Sequence, residues 1–170
     1  MLFIRMLERL SKLTGMVASV LTIPLIAALV YEVFSRYVLG SPTFWAYEIS
    51  YMLMGSIFTL AMAYALQMRQ HVSVDLIYAK LPQRGKAVVD VIGYCLFGIA
   101  VWWMTLELFE SVIDAYHSGE VTGKSAWSPV VWPVYTAWFV GFLVLALQVL
   151  VEIVKSAISL FTGRPFGEHA

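Results

Sequence analysis

Hydrophobic positions in this chain fill long continuous runs instead of recurring as a stripe. Four runs stand out: about Thr14 to Leu39, about Ala46 to Met68, about Val88 to Leu108 with a helical pattern that can continue to Tyr116, and about Val131 to Ser156. Each is long enough to cross a hydrocarbon core about 30 Å thick, which takes about 20 apolar residues as a helix. Inside lipid the backbone must satisfy its own hydrogen bonds, so each run is expected to be helical. A β-barrel would show shorter segments of alternating polarity, and these runs do not alternate. Residues 2–13 differ. Leu2, Phe3, Met6, Leu7, Leu10 and Leu13 fall on one helical face, and Arg5, Glu8, Arg9 and Lys12 on the other. That pattern suits a helix lying in the interface plane before the chain turns into the bilayer; the alternative is a basic flank that only sets orientation. A cleaved signal peptide fits less well, because the apolar run is too long and ends at Glu32 and Arg36 instead of a small-residue cleavage site.

The connectors carry turn chemistry. Gly40-Ser41-Pro42 stops the first span and forces a hairpin into the second. Pro82 and Gly85 punctuate the second connector, and Pro129 and Pro133 flank the start of the fourth span, where a missing N–H does least harm. Pro24 predicts a kink within the first span, tolerable if neighbouring helices cover the freed carbonyl. No repeat or linker divides the chain. The expectation is an all-α integral membrane protein, four transmembrane helices plus an N-terminal interfacial amphipathic helix, forming a single membrane domain over residues 1–170.

Composition agrees. Of 170 residues, 61% are hydrophobic and 13% charged, against roughly 45–50% apolar and about 25% charged in soluble domains. Eleven basic and eleven acidic residues cancel, so no basic field points to nucleic acid. The lone cysteine, Cys95, can form neither an intrachain disulfide nor a cysteine-cluster zinc site.

The basic residues are unevenly distributed. Arg5, Arg9 and Lys12 precede the first span; Arg69, Lys80, Arg84 and Lys86 lie in the second connector; Lys155 and Arg164 are at the C-terminal end. Only Arg36 and Lys124 fall on the opposite side. The positive-inside rule then places both termini and the second connector in the cytoplasm, with the first and third connectors facing outward, into the periplasm of a Gram-negative cell.

Ionisable residues deep in a membrane are expensive and point to function, and the predicted spans have almost none at mid-depth. Glu32 and Arg36, spaced i and i+4, can pair on one face, and Glu48 opens the second span just across the hairpin. The three are expected to form an ion-pair cluster bracing the outer end of the first two spans; the alternative is that each snorkels to water. Gln148, near the middle of the fourth span, is expected to make an interhelical hydrogen bond. Trp45, Trp127 and Trp132 fall where interface anchors belong. Trp102, Trp103 and Trp138 are deeper, with lipid as their default neighbour. Ala61-x-x-x-Ala65 and Ala137-x-x-x-Gly141 would allow close helix packing. Glu107, Glu110 and Asp114 share a face at the outer end of the third span, followed by Glu120, and could dock a soluble partner by charge complementarity; the alternative is a solvated helix end. His71, His117 and His169 lie in connectors or the tail, which leaves haem ligation within the spans unsupported. No nucleophile–base set, phosphate loop or metal-ligand spacing appears, so no enzymatic activity, cofactor or metal is expected.

Three patches resemble the small membrane subunit of tripartite ATP-independent periplasmic (TRAP) transporters. The first is Glu32-Val33-Phe34-Ser35-Arg36-Tyr37-Val38-Leu39-Gly40 followed by Trp45 and Glu48. The second is Gly55, then His71-Val72-Ser73-Val74-Asp75, then Leu81-Pro82. The third is Trp127-Ser128-Pro129 with Trp132-Pro133, then Gly141 and Gln148. Departures are Gln70 where the family often has a small residue, and Tyr47 before Glu48 where it often has paired acids. The resemblance implies a scaffold subunit in the bacterial inner membrane. Its partners would be a large transmembrane subunit that carries substrate and sodium, a periplasmic binding protein that captures an organic acid, and lipid. His71 and Asp75 are then expected to hold the cytoplasmic connector. The competing readings are an autonomous four-helix exporter working as a homodimer, and a structural four-span subunit of an unrelated complex.

Overall fold

The computed structural model describes residues 2–68 and 82–162. They form four helices: α1 (Leu2–Tyr37), α2 (Ala46–Gln67), α3 (Gln83–Ser118) and α4 (Trp132–Thr162). All four are long and apolar enough to cross a membrane. Among the described residues the one β pairing is an isolated bridge between Val121 and Val130.

The expected turn between an interfacial helix and the first span is absent. Residues 2–13 are the first turns of one 36-residue helix. At about 1.5 Å per residue α1 is about 54 Å long, well beyond the hydrocarbon thickness, so its amphipathic start extends past the N-terminal end of the apolar run. The face of α1 that packs inward carries Ser11, Thr14, Gly15, Ala18, Ala28 and Ser35. Ser11, Thr14 or Gly15, and Ala18 are three or four residues apart, and Ala28 and Ser35 are seven apart, so all fall on one helical stripe. Pro24 is exposed instead of covered by a neighbouring helix, and α1 continues through it.

The helices do not form a closed square. α4 packs against each of the other three, α1 pairs with α2, and α3 packs chiefly on α4. α4 is accordingly the most buried span, and α3 the least. Leu66, Val101, Leu145 and Val149 meet in the buried core with Ala63 and Val144. The expected small-residue packing is realised at Gly141 and not at Ala61 or Ala65, which are only partly buried, whereas Ala63 is fully enclosed. A Cβ added at Gly141 would stand 2.6 Å from the Thr59 carbonyl carbon, so here α4 and α2 approach backbone to backbone. Gly55 makes room for the Trp138 ring, and Gly15 for Tyr64. Trp138 therefore faces protein, packed between Gly55, Tyr51 and Tyr135, while Trp102 and Trp103 are exposed on α3.

Gly141→Ala should force α2 and α4 apart and lower stability by about 1–3 kcal/mol, the usual cost of overpacking. Gly93→Ala, whose added methyl meets nothing within 4 Å, should be neutral or stabilising by up to about 1 kcal/mol. Thermal unfolding of both variants in detergent checks the contrast.

Candidate functional site

The polar groups gather in two bands, one at each end of the bundle. The band at the α1–α2 hairpin, called outer here after the expected orientation and the opposite one inner, starts with Glu32. One carboxylate oxygen accepts hydrogen bonds from Arg36 Nε at 2.9 Å and from its terminal nitrogen at 2.5 Å. The other accepts from the Thr43 backbone N–H at 2.9 Å and from the Thr43 hydroxyl. Glu32 thus clamps the hairpin that follows α1. Gly40, with φ +62°, supplies the left-handed turn residue. Ser35 closes the turn by donating to the Ser41 carbonyl oxygen at 2.5 Å. Trp45 stacks on Tyr31 at 5.8 Å between centroids.

Glu48 does not join this cluster. Arg36 gives its donors to Glu32, and Glu48, in the first turn of α2, meets the third connector instead. Glu48 is 1% exposed and accepts a hydrogen bond from the Thr122 hydroxyl at 2.5 Å. Ser125 and Lys124 are its other electrostatic neighbours, although no donor meets hydrogen-bond geometry at its second oxygen. The third connector folds down to reach it. Gly119, at φ +64°, ends α3, the Thr122 N–H donates to the Pro129 carbonyl, and the Val131 N–H donates to that of Glu120. Lys124 Nζ sits 4.2 Å from the centroid of the Tyr51 ring. Trp127 is exposed, and Trp132 meets Tyr116 edge-on at 5.6 Å.

The inner band joins α1 to α4. Ser11 donates to Gln148 Oε1 at 2.9 Å, and Gln148 Nε2 donates to Glu152 Oε1 at 3.0 Å. Lys155 then bridges two carboxylates, Glu152 at 2.8 Å and Glu8 at 2.6 Å. The interhelical bond expected of Gln148 is present. The ionic half of the band was missed because Glu8 and Lys155 read as a solvated helix face and a basic flank. The readable signal was Gln148, Glu152 and Lys155 at i, i+4 and i+7 on one face of α4. Ser11, Gln148 and Glu152 are almost wholly buried, so each polar group needs the partner it has. His71 and Asp75 lie outside the described residues.

Three contacts fix how α3 runs against α4. Tyr116 meets Trp132, Phe109 packs on Phe139 at 5.4 Å, and the position of Gly98 faces Val149. Glu107 and Glu110 flank Phe109, so they lie at the depth of Phe139, about 10 Å inward of Trp132 at about 1.5 Å per residue. Only Asp114 approaches the outer tip. All three acids are exposed. Glu107 accepts a hydrogen bond from Trp103 Nε1 at 3.2 Å. Among the described residues, no three His, Cys, Asp or Glu side chains gather closely enough to hold a metal ion.

Four crossing helices with polar groups banded at their two ends define a multi-pass helical membrane protein. Residues 25–158 match the family described as tripartite ATP-independent periplasmic transporters, DctQ component, and the chain belongs to that family. It is a TRAP transporter small permease and hence a bacterial membrane protein. It is also similar to the ectoine TRAP transporter small permease protein TeaB of Halomonas elongata, with 21% identity over 150 residues, covering 88% of this chain and 77% of that relative. The matched span takes in the outer band and the α4 half of the inner band; Glu8 and Ser11 precede it.

Lys155→Met would leave Glu152 buried without its cation and should cost on the order of 3 kcal/mol. Adding Glu152→Gln should restore part of that loss. Unfolding midpoints of the two single variants and the double variant, read as a double-mutant cycle, measure the coupling.

Proposed function

We propose that this small permease is the scaffold of a sodium-coupled, binding-protein-dependent secondary transporter that imports an organic acid or a related small solute. In this reading the large membrane subunit carries sodium and substrate and moves. This chain braces it and helps receive the periplasmic binding protein. The observation that carries the reading is the emptiness of the body between the two bands. Residues 13–31 of α1, 49–67 of α2 and 133–151 of α4 contain no Asp, Glu, Lys or Arg. A self-sufficient carrier places ion and substrate groups near the midplane, between its helices. The charges that α3 holds at depth are exposed on its surface instead. That also disfavours the autonomous homodimeric exporter, whose glutamate on the first helix would have to be free to bind cargo. Here Glu32 is consumed by Arg36 and Thr43.

The uneven distribution of basic residues supports cytoplasmic termini in the bacterial inner membrane, with the first and third connectors in the periplasm. Docking of the binding protein belongs on that side. Of the acidic edge formed by Glu107, Glu110 and Asp114, Asp114 stands closest to it, together with exposed Glu120 in the third connector. His71 and Asp75 are assigned to holding the cytoplasmic connector. The substrate is selected by the binding protein and not by this chain; ectoine belongs to the name of the relative.

On a Cys95→Ser background, impermeant thiol reagents added from outside should label Gly119→Cys and not Ser73→Cys; the opposite pattern rejects the orientation. In proteoliposomes with a sodium gradient, uptake of organic acids should require this subunit, the large subunit and the binding protein together. Flux through this subunit alone would reject the scaffold reading in favour of an exporter.

A further inference from the structure

The apolar run of α3 is out of step with the other three helices. On α1, α2 and α4 the uncharged stretches lie between the outer band near Trp132 and the inner band near Glu152. On α3 the uncharged stretch runs from Val91 to Leu106, and the contacts of Gly98 with Val149 and of Phe109 with Phe139 set it toward the inner side. The outer half of α3 therefore brings Glu107 and Glu110 to a depth at which every other helix of the bundle is uncharged. Both side chains point out of the bundle. Trp103, beside them, is 64% exposed. Among the described residues, the hydrogen-bond donor to the Glu107 side chain is the Trp103 N–H.

Lipid tails offer such carboxylates no donors, and glutamate has a shorter stem than the lysine and arginine side chains that snorkel. The periplasmic binding protein is water-soluble and cannot reach this depth. A second copy of this chain would set carboxylates against carboxylates. What fits is a membrane-embedded protein carrying donors. By contrast, the outward face of α1, with Met16, Val20, Ile23 and Val30, is exposed and uncharged, and its exposed Ser19 bonds back to the Gly15 carbonyl, as suits a lipid-facing surface.

We propose that the large membrane subunit packs against the outer half of α3, around Trp103, Leu106, Glu107 and Glu110, and presents cationic or N–H donor groups to the two glutamates at the depth of Phe139. This rests on the scaffold reading and adds which face of the subunit carries the contact.

The test uses the two membrane subunits co-expressed in native membranes, with a photo-crosslinking benzophenone amino acid at Trp103 or, separately, at Ile23. The expected result is an adduct with the large subunit from position 103 at least tenfold stronger than from position 23. Adducts from position 23 alone, a homodimeric adduct from position 103, or no adduct from position 103 while the subunits still co-purify would each overturn the assignment and leave the scaffold reading standing. Failure of the two subunits to co-purify at all would overturn both. A second measurement replaces both acids by leucine, Glu107→Leu with Glu110→Leu. If lipid covers this face, the double variant should co-purify with the large subunit at wild-type stoichiometry, which would overturn the proposal. If the partner covers it, recovery of the large subunit should fall at least fivefold while the level of this chain in the membrane is unchanged.

Discussion

The arrangement depends on how closely α4 approaches α2. Gly141 lets the α4 backbone come against Thr59, and Gly55 one layer outward leaves room for the Trp138 ring. In lipid there is little hydrophobic force between helices, so close contact and shape hold the bundle together. With α4 anchored on α2, its remaining faces receive α1 and α3. The inner band between α1 and α4 and the stacking of α3 on Phe139 and Trp132 follow from that central position.

The two polar bands then act as clamps at either surface. Glu8 and Glu32 stand about 36 Å apart along α1 at about 1.5 Å per residue, close to one membrane thickness. Each band ties a different pair of elements. Glu32 holds the first hairpin, Glu48 holds the third connector, and Lys155 with Glu152 locks the start of α1 to the end of α4. A bundle bolted at both ends, with uncharged stretches of α1, α2 and α4 between them, suits a part that stays still while its partner moves. Rigidity at these points is compatible with the scaffold role proposed for this subunit.

α3 stands apart. It leans chiefly on α4, exposes most of its length, and carries acids where a lipid-facing helix would not. Its register, not its composition, makes this face a surface for another protein. The same residues placed one span-third further outward would be an ordinary solvated helix end.

Length and polarity of the runs by themselves determined the four helices and the first and third connectors, because lipid imposes one solution on an apolar run of that length. The Glu32–Arg36 pair was also legible, since i and i+4 meet on any helix, and so was a bonded role for Gln148. Only the tertiary structure decided that α1 runs unbroken from Leu2, that Glu48 belongs to the third connector and not to the hairpin, that Lys155 reaches Glu8, and that Glu107 and Glu110 sit at the depth of Phe139. Each of these depends on the register or direction of one helix against another. Register is set by where a glycine admits a backbone or a ring finds its slot, and a hydrophobic run that is apolar all round carries no mark of which residue faces which neighbour.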